Sequence, residues 1–149
     1  MGLDSYLYKK VWVNKKLKNN VADIADKNVE IFDEEYPLKD LEYLVYEVGY
    51  WRKCNQVHKW FIDNVQAGKD DCGEYYVDHA LIKDLYKICK KIQEDPKKAE
   101  DLLPSHPGFF FGTYDYDEYY MKDIQHTIDI LEPLLKNKDN SNFYYSSSW

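Results

Sequence analysis

Trp51-Arg52-Lys53-Cys54-Asn55-Gln56-Val57-His58-Lys59-Trp60-Phe61-Ile62-Asp63-Asn64-Val65-Gln66-Ala67-Gly68 is the stretch from which the rest of the chain can be laid out. Cys54, Val57, Phe61 and Val65 recur at intervals of three and four, the spacing that gathers apolar side chains on one face of an α-helix. A helix is therefore expected from Trp51, with Gly68 as its C-terminal stop, because glycine adopts the left-handed backbone that ends a helix without steric cost. Just upstream, Leu41 to Tyr50 is dense in Tyr, Leu and Val. A helix with Leu41, Leu44, Val45 and Val48 on one face competes there with a strand, and both stay open.

Toward the N-terminus, Leu3 to Val13 alternates Leu3, Ser5, Leu7 and Lys9 with Asp4, Tyr6, Tyr8 and Lys10, a period of two that predicts a first strand. Asn14 to Lys27 reads as loop, and Val29, Ile31 and Asp33 alternate with Glu30 and Phe32 in a short strand. Downstream, Glu74 to Val77 reads as a strand and Asp78 as the cap of a helix carrying Leu81, Leu85, Ile88, Cys89 and Ile92 on one face. Pro96 ends or interrupts that helix. The run Gly108-Phe109-Phe110-Phe111-Gly112 suits a buried strand. A third long helix begins near Asp117, carries Met121, Ile124, Ile128 and Leu131, and is disturbed near its end by Pro133. Phe143 to Trp149 reads as a final edge strand. Strands and helices mixed without regular βαβ alternation predict a single α+β domain over residues 1–149, with an antiparallel or mixed sheet and about three main helices packed on one face.

Composition narrows the function. The 149 residues are 44% hydrophobic, enough for one core without disulfides or metal, and no apolar run is long enough to span a bilayer. The start Met1 to Tyr6 lacks a basic segment followed by an apolar one, which points away from a secretory signal and toward a cytoplasmic location. Cys54, Cys72 and Cys89 are odd in number and form no CxxC pair, so buried reduced thiols are expected. A formal net charge of −7 opposes binding to long nucleic acid, whose affinity rests on many cationic contacts to phosphate. A small anionic ligand needs only a few local donors.

Two biases point to such a ligand. Arg52 is the only arginine among 20 basic residues, and its guanidinium offers a planar fork and a stacking face that lysine lacks. Fifteen tyrosines supply rigid, amphipathic contact area. On a helix from Trp51, positions 52, 55, 56 and 59 share one side, so Arg52, Asn55, Gln56 and Lys59 would present charge and amide groups suited to phosphate oxygens and a base edge. Trp51, Tyr50 and Tyr46 lie near enough in sequence to stack on a base. A solvated helix face is the competing reading. His58 follows Cys54 by four residues, but two candidate ligands do not make a zinc site, and His58 reads better as a core or pocket hydrogen-bonding residue. Neither a metal nor a cofactor is expected. The acidic clusters around Asp70 and Asp115 lack the spacing of a calcium loop. No nucleophile motif declares itself, so no catalytic residue is assigned; were the chain an enzyme, His58 and Glu74 would be the acid/base pair to test. Trp149 and the preceding serines sit at an end that ought to be docked, either into the core or at a pocket rim.

The pieces Gly2-Leu3-Asp4 with Tyr6-Leu7, Gly49-Tyr50-Trp51-Arg52-Lys53 with Asn55, His58, Trp60 and Phe61, Cys72-Gly73-Glu74-Tyr75, Gly108 to Gly112, and Ser147-Ser148-Trp149 together resemble a family of small phage and bacterial proteins. That family looks similar to phage anti-CBASS sponges, oligomeric proteins that sequester cyclic dinucleotide immune signals without degrading them. The resemblance implies a homo-oligomer acting in a host cytoplasm on 3′3′-cGAMP-like ligands, with aromatics for the bases and Arg52 for phosphate. Cys54 stands where a small residue such as Ala would be expected. A nucleotide-processing hydrolase and a protein-binding inhibitor of a host factor are the alternatives. The ligand-binding set expected from the sequence is Tyr50, Trp51, Arg52, Asn55, Gln56, His58, Lys59 and Trp149.

Overall fold

The computed structural model describes residues 2–13, 28–31, 34–108, 112, 115–137 and 141–149. The chain runs β1 (Asp4–Trp12), β2 (Asn28–Ile31), β3 (Glu34–Pro37), β4 (Tyr43–Arg52), α1 (Asn55–Asn64), β5 (Tyr75–Val77), α2 (His79–Glu94), a short α3 (Ala99–Leu102), α4 (Glu118–Lys136) and β6 (Asn142–Ser148). It is an α+β fold. Four strands form an antiparallel sheet in the order β4-β1-β6-β5, and β2 pairs with β3 in a separate two-stranded sheet.

Alternation in β1 turns Ser5 and Leu7 inward, opposite Gly49 and Trp51 of β4 and Tyr145 and Ser147 of β6, and Val77 of β5, opposite Phe143 of β6, is buried as well. The three long helices close this inner side. They contribute Val57 and Phe61 from α1, Ile82, Leu85, Cys89 and Ile92 from α2, and Ile124, Ile128 and Leu131 from α4 to one core. Burying each such side chain stabilises the fold by about 1.5–3 kcal/mol before ordering costs. Helix α4 comes closest at Gly49, where an added Cβ would lie 2.7 Å from Ile130 Cγ2.

Helix starts follow local chemistry. Asp78 accepts from the Ala80 amide at 2.7 Å, and Asp117 accepts from Tyr119 and Tyr120 at 2.9 and 3.1 Å, each satisfying donors that the first turn leaves unpaired.

Several expectations change. Leu41 to Tyr50 resolves as strand from Tyr43, because β1 is available to pair along nine residues. The stretch from Phe143 belongs to β6, which ends at Ser148 and is an inner strand between β1 and β5 rather than an edge. The α1 helix begins at Asn55 rather than Trp51, since Lys53 takes a left-handed φ of 55° that breaks the helical phase. Helix α4 runs through Pro133 to Lys136. Cys72 is exposed in a turn with φ 56°, while Cys54 and Cys89 are buried. The loop expected over 14–27 and the centre of the expected Gly108 to Gly112 strand, 109–111, lie outside the described residues; Gly112 itself has φ 95° and sits against the Lys53 carbonyl.

Candidate functional site

The outer side of the sheet carries what β1 alternation turns away from the core: Asp4, Tyr6, Tyr8 and Lys10. Register then recruits their neighbours. Tyr50 and Arg52 of β4 lie opposite Tyr6 and Asp4, Tyr144 and Ser146 of β6 lie opposite Tyr8 and Tyr6, and Tyr76 of β5 lies opposite Tyr144. Tyr6 and Tyr8 stack with ring centroids 6.0 Å apart, Tyr6 and Tyr50 approach to 5.4 Å, and Tyr76 meets Tyr144 edge-on at 5.8 Å. Tyr50 and Tyr76 are 38% and 52% exposed. The helices that complete the core all pack on the other side, so this aromatic face is uncovered by any helix among the described residues.

Cations mark both ends of the face. Lys10 Nζ sits 4.0 Å from the centre of the Tyr144 ring and pairs with Glu74. Arg52 is exposed and makes no salt bridge among the described residues. The Tyr50 hydroxyl donates to Asp4 Oδ1 at 2.6 Å, a bond that raises the phenol's pKa; burial, with Glu47 next, raises that of Tyr8. Both phenols therefore stay neutral donors at ordinary pH, and their rings offer faces for stacking.

The residues of the expected ligand-binding set separate into five places. Tyr50 and Arg52 belong to the tyrosine face. Trp51, one residue between them, points the opposite way: it is 1% exposed, packs against Phe61, and its indole N–H donates to Thr127 Oγ1 at 2.9 Å. It is a core residue and presents no face to a ligand. Tyr46, beyond an irregularity in the β1–β4 register between Leu7 and Tyr8, lies on the side of the strand opposite Tyr50.

Asn55 and Gln56 are 2% and 3% exposed. Asn55 Oδ1 accepts from the His106 amide at 2.9 Å, and Gln56 Nε2 donates to Asp123 Oδ2 at 3.1 Å, so they tie the 104–108 segment and α4 to the start of α1. Beside them Lys53, Asp115, Tyr119, Tyr120 and Asp123 line a hollow of about 30 Å³. That space suits water rather than a nucleotide. Burial raises the Asp123 carboxyl pKa. Lys59 is half-exposed and pairs with Asp63 one turn on, as expected of a solvated helix face.

His58 is 1% exposed and joins a buried chain of hydrogen bonds. Its Nε2 lies 3.2 Å from Asp70 Oδ2, and its Nδ1 lies 2.8 Å from the Tyr145 hydroxyl. A carboxylate only accepts, so Nε2 carries the hydrogen and Nδ1 receives the one from Tyr145. Burial lowers the His58 pKa against the opposing pull of Asp70, and burial raises that of Tyr145. Trp149, 50% exposed, donates from its indole to Asp70 Oδ1 at 3.0 Å, which docks the C-terminal end onto the same carboxylate. Glu74 is exposed on Lys10, so the His58 and Glu74 pairing is not formed.

Sequence reasoning missed Tyr6, Tyr8, Tyr144, Tyr76 and Lys10 as site residues. The signal was present in the alternation of β1, but only strand pairing shows that the tyrosines of both chain ends share one surface. No group of three or more His, Cys, Asp or Glu placed to hold a metal occurs among the described residues. Nor is any helix among them long and apolar enough to cross a membrane. No protein-family model, curated protein or solved structure matches this chain.

Proposed function

We propose that the chain binds a small nucleotide on the outer face of the sheet and holds it without converting it. The observation that carries this reading is the uncovered array of Tyr6, Tyr8, Tyr50, Tyr144 and Tyr76, with Arg52 at one end and Lys10 at the other. Rings on an exposed sheet stack on bases at about 1–3 kcal/mol per base, and a guanidinium forks onto phosphate oxygens. Two cations and several rings match a ligand with two bases and few phosphates. The acidic remainder of the molecule disfavours long strands. A 3′3′-cGAMP-like cyclic dinucleotide is the ligand class we put first, and sequestration of such an immune signal, antagonising host antiviral defence, is the action. The role assigned to His58 is structural, since both ring nitrogens face partners inside the fold.

Isothermal titration with 3′3′-cGAMP and related cyclic dinucleotides, followed by denaturation and chromatography of the recovered ligand, tests this. Binding with intact ligand supports sequestration. Turnover favours a hydrolase, and failure of every nucleotide to bind or to raise the melting temperature leaves the tyrosine face to a protein partner. Arg52→Ala is expected to weaken binding by about 1.5–3 kcal/mol, the range for a hydrogen bond to a charged group.

A further inference from the structure

Past Gly49, β4 runs on as an exposed arm along β1. The pairing continues from Tyr8 opposite Glu47 to Trp12 opposite Tyr43, with β6 still on the far side of β1 as far as Lys10, while β4 residues 43–47 are all exposed. Tyr43, Leu44, Val45 and Tyr46 are 37–56% exposed although they alternate between the two sides of the sheet, and Trp12 is 54% exposed. Contiguous exposed apolar side chains of this kind mark surfaces that meet another chain.

β4 is also the last strand of its sheet, so one row of its backbone N–H and C=O groups faces no strand among the described residues. Proteins guard such edges by keeping them short or by placing Lys or Pro on them. The opposite edge, β5, is three residues long. β4 is ten, and Tyr43-Leu44-Val45-Tyr46 carries no guard. Near the core His126 Nε2 donates to the Tyr50 carbonyl at 2.7 Å, but that cover ends before the arm.

We propose that the outer edge of β4 pairs antiparallel with the same edge of a second copy across a two-fold axis. An antiparallel edge complements itself under that symmetry, which a parallel one does not. With Val45 opposite its own copy, Leu44 meets Tyr46, and Glu42 falls opposite Val48 rather than Glu47, so no like charges face each other. Such pairing also sets apolar side chains of one copy beside those of the other on both sides of the sheet, Leu44 beside Tyr46 and Val45 beside its own copy, which covers part of their exposed surface. The proposal is independent of the nucleotide reading, because pairing uses the strand edge and requires no ligand.

Sedimentation at tens of micromolar, without nucleotide, reads it. The wild-type chain is expected at twice 17.9 kDa, and Val45→Lys at 17.9 kDa with the far-UV circular dichroism of the folded chain. A second measurement needs no added charge: Val45→Cys in a Cys72→Ser background, oxidised, is expected to cross-link into a reducible dimer, the other two thiols being buried. A monomeric wild type overturns the proposal. So does a dimer that survives Val45→Lys, or one that fails to cross-link through Val45→Cys, since either puts the interface elsewhere; capture of an extended peptide by a monomeric chain would assign the edge to another partner.

Discussion

Trp51→Phe separates the structural reading of this strand from a ligand-stacking one. Phenylalanine keeps an aromatic ring against Phe61 but removes the indole N–H that donates to Thr127 Oγ1, itself a donor to the Asp123 carbonyl at 2.7 Å. Losing that buried bond costs about 1 kcal/mol. The smaller ring leaves roughly 40 Å³ unfilled, which at about 24 cal/mol per Å³ adds about 1 kcal/mol. The sum, about 2 kcal/mol, corresponds to a fall in Tm of roughly 4–8 °C for a chain of this size. Urea unfolding at pH 7 should show a lower midpoint at unchanged slope, while affinity for the nucleotide stays within twofold. Tyr50→Ala, one residue away on the other face, should reverse the pattern: stability within about 0.5 kcal/mol and binding weaker by about 1–3 kcal/mol. Wild-type stability in Trp51→Phe together with lost binding would refute the assignment of the two faces.

Other consequences are local. Gly49→Val should cost about 1–3 kcal/mol in urea unfolding, because its side chain would start 2.7 Å from Ile130 and push α4 off the sheet. Asp117→Ala should cost about 0.5–2 kcal/mol through the two amides it caps, and a circular-dichroism melt would show it. His58 carries a lowered pKa beside Asp70, Tyr145 and His106, so the unfolded chain takes up its proton first; this contribution is complete above the ordinary value of 6.5 and is lost as pH falls through and below it. Midpoints measured from pH 8 down to 5 should therefore decline, and His58→Gln should flatten that slope. Asp123 has the opposite sign: its raised pKa means it destabilises the fold once pH rises through the folded value, so Asp123→Asn should leave the protein at least as stable at pH 7 and narrow the advantage at low pH.

What the amino-acid sequence determined by itself was local: the period of two in β1, the stripe of Val57 and Phe61, the cap at Asp78 and the helix start near Asp117, since each depends on residues within a turn or two of one another. The strand at Tyr43 to Arg52 was ambiguous because its apolar residues satisfy both periods, and pairing with β1 decided it. The polar helix face failed for a definite reason. Lys53 in the left-handed region resets the backbone between Arg52 and Asn55, so residues that a continuous helix would align are sent to a sheet surface and to a buried contact with α4. Only the tertiary structure could place Tyr144 beside Tyr8 and hide Trp51, because register joins residues from opposite ends of the chain and a shift of one position exchanges the two faces.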